Sequence, residues 1–110
     1  MNFRDYSERA TRTIPLGVTR DDLLKHSLFG LASEVGELQG IYQKYYQGHD
    51  IELEEVMEEL GDILWFLNEF CVASDIDLEG VACFNIYKLK QRYPDGFDVD
   101  RSVNRSEEKH

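Results

Sequence analysis

Two pairs of acidic residues, each three positions apart, are the residues of this sequence best placed to do chemistry. Glu34 and Glu37 form the first pair, and Glu59 and Asp62 form the second. Side chains at this spacing project from one face of a helix, and antiparallel packing of two such helices can bring the pairs face to face. Four carboxylates that meet beside an apolar core repel one another, so their ionised form is stable only with bound cations. Oxygen ligands without a histidine nearby favour Mg²⁺, with Mn²⁺ as a possible substitute, over zinc.

The alternative interpretation of each pair is a solvated helix face, which is the common role of glutamates three positions apart. We assign that role to the acidic residues at the start of the second pair's helix, although one of them could also support a metal ligand: Glu52, Glu54, Glu55 and Glu58. The duplication of the pair, and its position beside apolar stripes on adjacent helices, is what indicates a metal site for the other four.

A polar row of complementary charge is expected on the last helix. Asn85, Lys88 and Arg92 are spaced three and four residues apart, and Lys44 lies two turns after Glu37 on the row that carries the first acidic pair. Ammonium and guanidinium groups beside a metal cluster suit a substrate with several phosphates. The alternative is a solvated basic face that the helix dipole favours near a helix C-terminus.

The elements that must position these residues are helices. Apolar residues recur every three or four positions along two long segments, which predicts two long amphipathic helices. The first has a capping residue at Thr19 and a stop at Gly48, and the second follows Asp50. A short helix is predicted around Tyr6–Thr13, and a last one from Asp77 whose inward residues are Leu78, Ala82, Ile86 and Leu89. No segment alternates with a period of two, so the fold class is all-α, a helical bundle.

The second long helix is too apolar for a monomer of this size. Ile63, Leu64, Trp65, Phe66 and Leu67 are consecutive and therefore cover every direction around the helix. A helix that is apolar all round is buried all round. The run predicts a bundle completed by dimerisation, as a homodimer or a dimer of dimers.

Length and charge limit the other possibilities. The chain has 110 residues and a formal net charge of −10, which predicts one domain over residues 1–100 and a polar C-terminal tail over 101–110. Excess negative charge disfavours binding to nucleic acid polymers and to anionic membrane surfaces. Two cysteines without the spacing of a disulfide framework or a metal site favour a reduced, cytoplasmic protein.

The acidic motifs also resemble those of a known family. Glu34-Val35-Gly36-Glu37 followed by Glu59-Leu60-Gly61-Asp62 is similar to the Glu-x-x-Glu and Glu-x-x-Asp signature of the MazG-like nucleoside triphosphate pyrophosphohydrolases, in the all-α NTP pyrophosphatase superfamily. The resemblance continues through residues 85–89, 92–97 and 104–105. The chain departs from many relatives at Ser33, where they carry an acidic residue, and in the tail, where only Asn104-Arg105 matches their pattern.

The resemblance implies a Mg²⁺-dependent enzyme that converts a nucleoside or deoxynucleoside triphosphate to the monophosphate and pyrophosphate. The four paired carboxylates would be both the catalytic residues and the metal ligands. The substrate would be held by residues in the first long helix, the last helix and the tail, namely Lys44, Asn85, Lys88, Arg92 and Arg105. Candidates for contact with the base are His26, Phe29, Trp65 and Phe66, although packing in the core is the favoured role for the aromatic residues.

Two other functions compete with this one. A di-iron carboxylate bundle needs Glu-x-x-His pairs, and His26, His49 and His110 form none. A non-catalytic all-α dimer that binds nucleotides or a protein partner would be free to lose metal ligands, whereas this chain keeps all four. Turnover of nucleoside triphosphates in the presence of Mg²⁺ distinguishes an enzyme from such a binding protein.

Overall fold

The structure is a computed structural model that describes residues 1–96 and contains four α-helices within them. They are α1 (Phe3–Thr11), α2 (Arg20–Tyr46), α3 (Leu53–Ala73) and α4 (Leu78–Arg92). Over these residues there is no β-strand, only an isolated bridge between Pro94 and Gly96. The predicted all-α fold class is therefore confirmed. No helix in residues 1–96 is long and apolar enough to cross a membrane.

Side-chain caps set where the first two helices begin. The Asn2 side chain accepts a hydrogen bond from the backbone N–H of Asp5 at 2.8 Å, so α1 starts at Phe3, about one turn before the predicted start at Tyr6. The Thr19 hydroxyl accepts one from the N–H of Asp22 at 3.2 Å, as the sequence predicts. α2 ends just before Gly48, whose φ of +103° lies in the region that glycine adopts readily.

α2 and α3 form an antiparallel hairpin that carries most of the helix packing. The direction follows from the contacts: Glu34 on α2 lies near Asp62 on α3, whereas His26, earlier on α2, contacts Glu69, later on α3. Gly30 lies between these two contacts, and a Cβ there would overlap the Phe66 ring. The absence of a side chain at Gly30 lets the aromatic ring lie directly against the α2 backbone.

Hydrogen bonds connect α1 to α3. They matter for this contact because no residue of α1 is buried. Ser7 donates to the Asn68 side-chain oxygen at 2.6 Å, and the Asn68 amide donates to the Thr11 hydroxyl at 3.1 Å. Just after α1, the Thr13 hydroxyl accepts a hydrogen bond from the Trp65 indole at 2.7 Å. The Asn68 side chain is fully buried, and these bonds satisfy polar atoms that would otherwise destabilise the fold.

The chain divides into two compact units, one from Met1 to Leu78 and one that begins at Glu79. The prediction of a domain ending at residue 100 and a tail over 101–110 lies outside the described residues and stays a prediction. On α4, Leu78 is buried and Ala82 is half-buried, but Ile86 and Leu89 are exposed, so the prediction that both point inward is wrong. The described part of the second unit is a single helix, which cannot bury an apolar face by itself.

Few apolar side chains are buried in the single chain. In residues 1–96 the buried apolar residues are Val56, Cys71, Ala73 and Leu78, while Leu53, Met57 and Leu60 on α3 are at least half exposed. A helical hairpin buries only the face that each helix turns to the other. The remaining apolar faces of α2 and α3 are left on the surface of one chain.

The turn after α3 contains a residue in an unfavourable backbone conformation. Asp75 has a φ of +57° and lies in a Schellman motif, in which the N–H of Ile76 donates to the Cys71 carbonyl at 2.8 Å. The left-handed conformation costs a residue with a Cβ about 1 kcal/mol. The Asp75 carboxylate also lies at the negative end of the helix dipole.

We therefore expect Asp75→Gly to raise the free energy of unfolding by about 0.5–1 kcal/mol, measured by urea titration. Asp75→Ala separates the two causes, because it removes the charge but keeps the Cβ. The glycine variant should be the more stable of the two. Equal stability of both variants would show that the charge alone matters.

Candidate active site

The structure brings the two predicted acidic pairs together between α2 and α3. One carboxylate oxygen from each of Glu34, Glu59 and Asp62 lies within 4.8 Å of the others. Glu37, one turn after Glu34, lies close enough to Glu59 to hydrogen-bond with it when Glu59 is protonated. The antiparallel hairpin thus gathers the four carboxylates at one place, as the spacing predicts.

Two carboxylate oxygens of this cluster are buried without a partner. Oε2 of Glu34 and Oε2 of Glu59 are inaccessible to solvent and accept no hydrogen bond from the described residues. Without a cation, protonation of Glu59 removes one negative charge and provides a hydrogen-bond donor to the neighbouring carboxylates. The pKa of Glu59 is raised to about 8, chiefly by the hydrogen bond of protonated Glu59 to Glu34 and further by partial burial and the proximity of Glu37.

These observations fit a divalent cation. The donor set is composed of carboxylate oxygens, which suit Mg²⁺ and Mn²⁺. Glu34 and Glu59 each carry a buried oxygen without a partner in the described residues, and their carboxylates lie on facing helices within 4.8 Å of each other, so a cation between them would offset their repulsion. Glu34, Glu37, Glu59 and Asp62 are the residues that could hold it.

Tyr6 of α1 extends the site on the side of Asp62. Partial burial raises the pKa of the Tyr6 hydroxyl, and the nearby Asp62 carboxylate raises it further. A neutral phenol beside a carboxylate can donate a hydrogen bond or support a bound water. Residue spacing does not identify this neighbour of Asp62, because a single tyrosine in a short helix has no distinguishing pattern.

A cavity of about 410 Å³ adjoins the cluster. It is lined by Glu37, Gly40, Ile41, Lys44, Glu55, Glu58 and Glu59. Lys44 thus shares a cavity with two of the cluster carboxylates. Glu55 and Glu58 are exposed, as expected of a solvated face, but they also line this cavity.

The other predicted substrate-binding residues lie elsewhere in the chain. Asn85, Lys88 and Arg92 are on α4, in the second compact unit, where the Lys88 ammonium lies 5.9 Å from the centre of the Phe84 ring. Arg105 lies outside the described residues. The binding roles of these four residues therefore stay predictions.

A second group of polar residues lies two turns along the hairpin from the cluster. Nδ1 of His26 is 2.8 and 2.9 Å from the two carboxylate oxygens of Glu69, a residue with no solvent exposure. The His26 ring packs edge-on against Phe66, with 5.5 Å between ring centres, and against Trp65 at 6.4 Å. His26 is a candidate site residue from the sequence, whereas Glu69, 43 residues away, matches no motif.

The helices of residues 1–96 thus bring together carboxylates of which two oxygens are buried without a partner, an arrangement that suits a metal site. The sequence model of one family, the MazG nucleotide pyrophosphohydrolase domain, matches residues 24–97, more than half of the chain. The chain belongs to this family. No significant match is found among curated proteins or among solved structures.

Proposed function

We propose that this protein is a Mg²⁺-dependent nucleoside triphosphate pyrophosphohydrolase that converts (d)NTP to (d)NMP and pyrophosphate. The observation that carries the proposal is the pair of buried, unpartnered oxygens of Glu34 and Glu59 within the four-carboxylate cluster. Membership of the MazG family supports the reaction.

Glu34, Glu37, Glu59 and Asp62 would hold the metal between α2 and α3. Bound Mg²⁺ would supply positive charge beside the α-phosphate and would lower the pKa of a coordinated water. One of the four carboxylates would accept the proton that the attacking water loses. Packing of α2 against α3 would hold these oxygens in place before the substrate binds, which would reduce the reorganisation needed during the reaction.

Cationic and amide side chains would hold the rest of the substrate. Lys44, on the cavity beside the cluster, is suited to the β- and γ-phosphates, since an ammonium group offsets their charge. Asn85, Lys88, Arg92 and Arg105 would hold phosphates or sugar from the last helix and the tail. With a net charge of −10, the protein depends on the metal and these side chains to bind a polyanion.

The site of bond cleavage tests this function. If water attacks the α-phosphorus, hydrolysis in ¹⁸O-labelled water should place the label in the nucleoside monophosphate and leave the pyrophosphate unlabelled. The measurement is mass spectrometry of both products. Labelled pyrophosphate would mean attack at the β-phosphorus, and release of orthophosphate alone would mean an ordinary phosphatase. Binding without any turnover would favour the non-catalytic alternative.

The functional protein is proposed to be a homodimer or a dimer of dimers in which apolar faces of α2 and α3 meet a second copy. Leu53, Met57 and Leu60 on α3 and Val35 on α2 are all at least half exposed in the single chain. Exposed apolar area on this scale marks an interaction surface.

The free cysteines Cys71 and Cys83 accord with a reduced, cytoplasmic setting.

We expect sedimentation velocity to show a dimer or tetramer at micromolar concentration. Leu67→Glu places a charge on a partly exposed α3 position and should shift the protein towards monomer or cause aggregation. Leu16→Glu is the matched control, since Leu16 is 99% exposed in the α1–α2 connection. A stable, folded wild-type monomer would contradict the proposed assembly.

A further inference from the structure

A second cavity, separate from the acidic cluster, contains the buried Glu69 carboxylate. It has a volume of about 220 Å³ and is lined by Pro15, Val18, Asp22, Leu23, His26 and Glu69, which we call the His26 pocket. Ligand sites for drug-sized molecules commonly measure about 300–1,000 Å³. The His26 pocket is thus suited to one ring system rather than to a whole nucleotide.

The polar groups of the His26 pocket are arranged to accept hydrogen bonds. Both Glu69 oxygens lie within 2.9 Å of Nδ1 of His26, and a carboxylate can only accept, so Nδ1 carries the hydrogen. In the neutral imidazole, Nε2 is then an acceptor, and the Asp22 carboxylate is a second one. Because the His26 side chain is 60% exposed, a ligand can reach it, while its orientation is fixed by the fully buried Glu69.

The distance between the His26 pocket and the acidic cluster is suited to a nucleotide that contacts both. Asp62 and Glu69 are seven residues apart on α3, which places them on one face about 10 Å apart along the helix. This separation is comparable to the length of a nucleoside. A triphosphate with its phosphates at the cluster can therefore reach the His26 pocket with its base.

We propose that the His26 pocket binds the base of the substrate and that Nε2 of His26 recognises an exocyclic amino group on it, an inference that rests on the function proposed above. Apolar contact would come from Pro15, Val18 and Leu23, and the hydrogen-bond acceptors favour amino groups over carbonyl oxygens. Glu69 is a positioning residue that acts through His26.

The test compares substrates that differ only in an amino or a carbonyl group. Wild-type protein should hydrolyse CTP with a kcat/KM about tenfold above that for UTP, as expected for one hydrogen bond. Its kcat/KM for ATP should exceed that for ITP by a similar factor. His26→Ala should bring both ratios close to one. His49→Ala, which changes an exposed histidine in the α2–α3 connection, should leave both ratios unchanged.

A substrate without a base distinguishes a role of His26 in base recognition from a role in maintaining the fold. Ribose 5-triphosphate should be hydrolysed equally by wild type and His26→Ala, because it makes no contact in the His26 pocket. Glu69→Gln should keep the CTP preference, since its amide oxygen still accepts from Nδ1, whereas Glu69→Leu should lose it. Loss of activity towards the abasic substrate in His26→Ala, or an unchanged CTP preference in that variant, would overturn the proposal.

Binding of a free nucleoside tests the His26 pocket independently of the proposed hydrolysis. In metal-free protein, cytidine should shift the ¹⁵N resonances of the His26 ring, and uridine should shift them much less. A protein that hydrolyses triphosphates without this response would contradict the base pocket and leave the proposed reaction standing. A cytidine response without any hydrolysis would contradict the reaction and leave the pocket standing.

Discussion

Asp62→Asn is expected to lower the turnover of nucleoside triphosphates by about 10³-fold or more while the helical content stays unchanged. The variant replaces a charged ligand of the acidic cluster with a neutral amide of the same size, which weakens Mg²⁺ binding. Metal activation of water and phosphate contributes several kcal/mol to catalysis, and each 1.36 kcal/mol corresponds to about tenfold in rate. The measurement is pyrophosphate release at a Mg²⁺ concentration that just saturates the wild type, with circular dichroism on the same sample.

The same change should not destabilise the metal-free protein. Removing a negative charge from the acidic cluster relieves repulsion, so the metal-free variant should unfold at the same or a higher temperature than the wild type. Glu34→Gln, Glu37→Gln and Glu59→Gln should also abolish turnover.

Glu54→Gln is the matched control. Glu54 lies in the first turn of α3, is exposed, and lines neither of the two cavities. Near-wild-type turnover is expected for it. A Glu54→Gln variant as inactive as Asp62→Asn would show that the wrong face of α3 has been assigned to the metal.

The features of this protein that sequence could predict are those that depend on local periodicity. Two residues three apart share a helix face wherever the helix packs, so the pairs Glu34–Glu37 and Glu59–Asp62 could be recognised before their contact was seen. The start of α2 was equally predictable, because Thr19 caps a helix through a backbone N–H three residues later.

The features that sequence could not predict depend on long-range packing. Tyr6 approaches Asp62 because α1 is attached to α3 through Asn68, a contact that no spacing encodes. Glu69 looks like a surface residue on α3, yet it is fully buried against His26. The prediction that Ile86 points inward is wrong for a related reason. Periodicity identifies an apolar helix face but does not tell whether another element covers it.

Mg²⁺ is expected to raise the melting temperature of the wild-type protein, and to do so more at pH 8.5 than at pH 6. The pKa of Glu59 in the folded, metal-free protein is about 8, above its ordinary value of 4.5. Between these values the folded chain holds a proton that the unfolded chain has lost. The stabilisation from this proton is complete below about pH 4.5 and is lost as the pH rises through 8. The metal-free protein should therefore become less stable over this range.

The metal opposes this loss because it takes the place of the proton. Deprotonated ligands bind cations better, so Mg²⁺ affinity should increase with pH. At about 100 times its dissociation constant, a ligand stabilises the folded state by about 2.7 kcal/mol, which corresponds to a rise in Tm of about 10 °C or more for a chain of this size. Thermal unfolding with and without Mg²⁺, at both pH values, measures the effect.

Glu59→Gln isolates the contribution of this one carboxyl. Glutamine resembles protonated Glu59, and its amide N–H can donate to the buried Oε2 of Glu34, which has no donor in the described residues. The metal-free variant should therefore be more stable than the wild type at pH 8.5, less dependent on pH, and nearly unresponsive to Mg²⁺. Glu54→Gln should behave as the wild type in all three respects. If Glu59→Gln kept the wild-type pH dependence and Mg²⁺ response, the metal would have to bind away from Glu59, and the assignment of the buried oxygens as its ligands would be wrong.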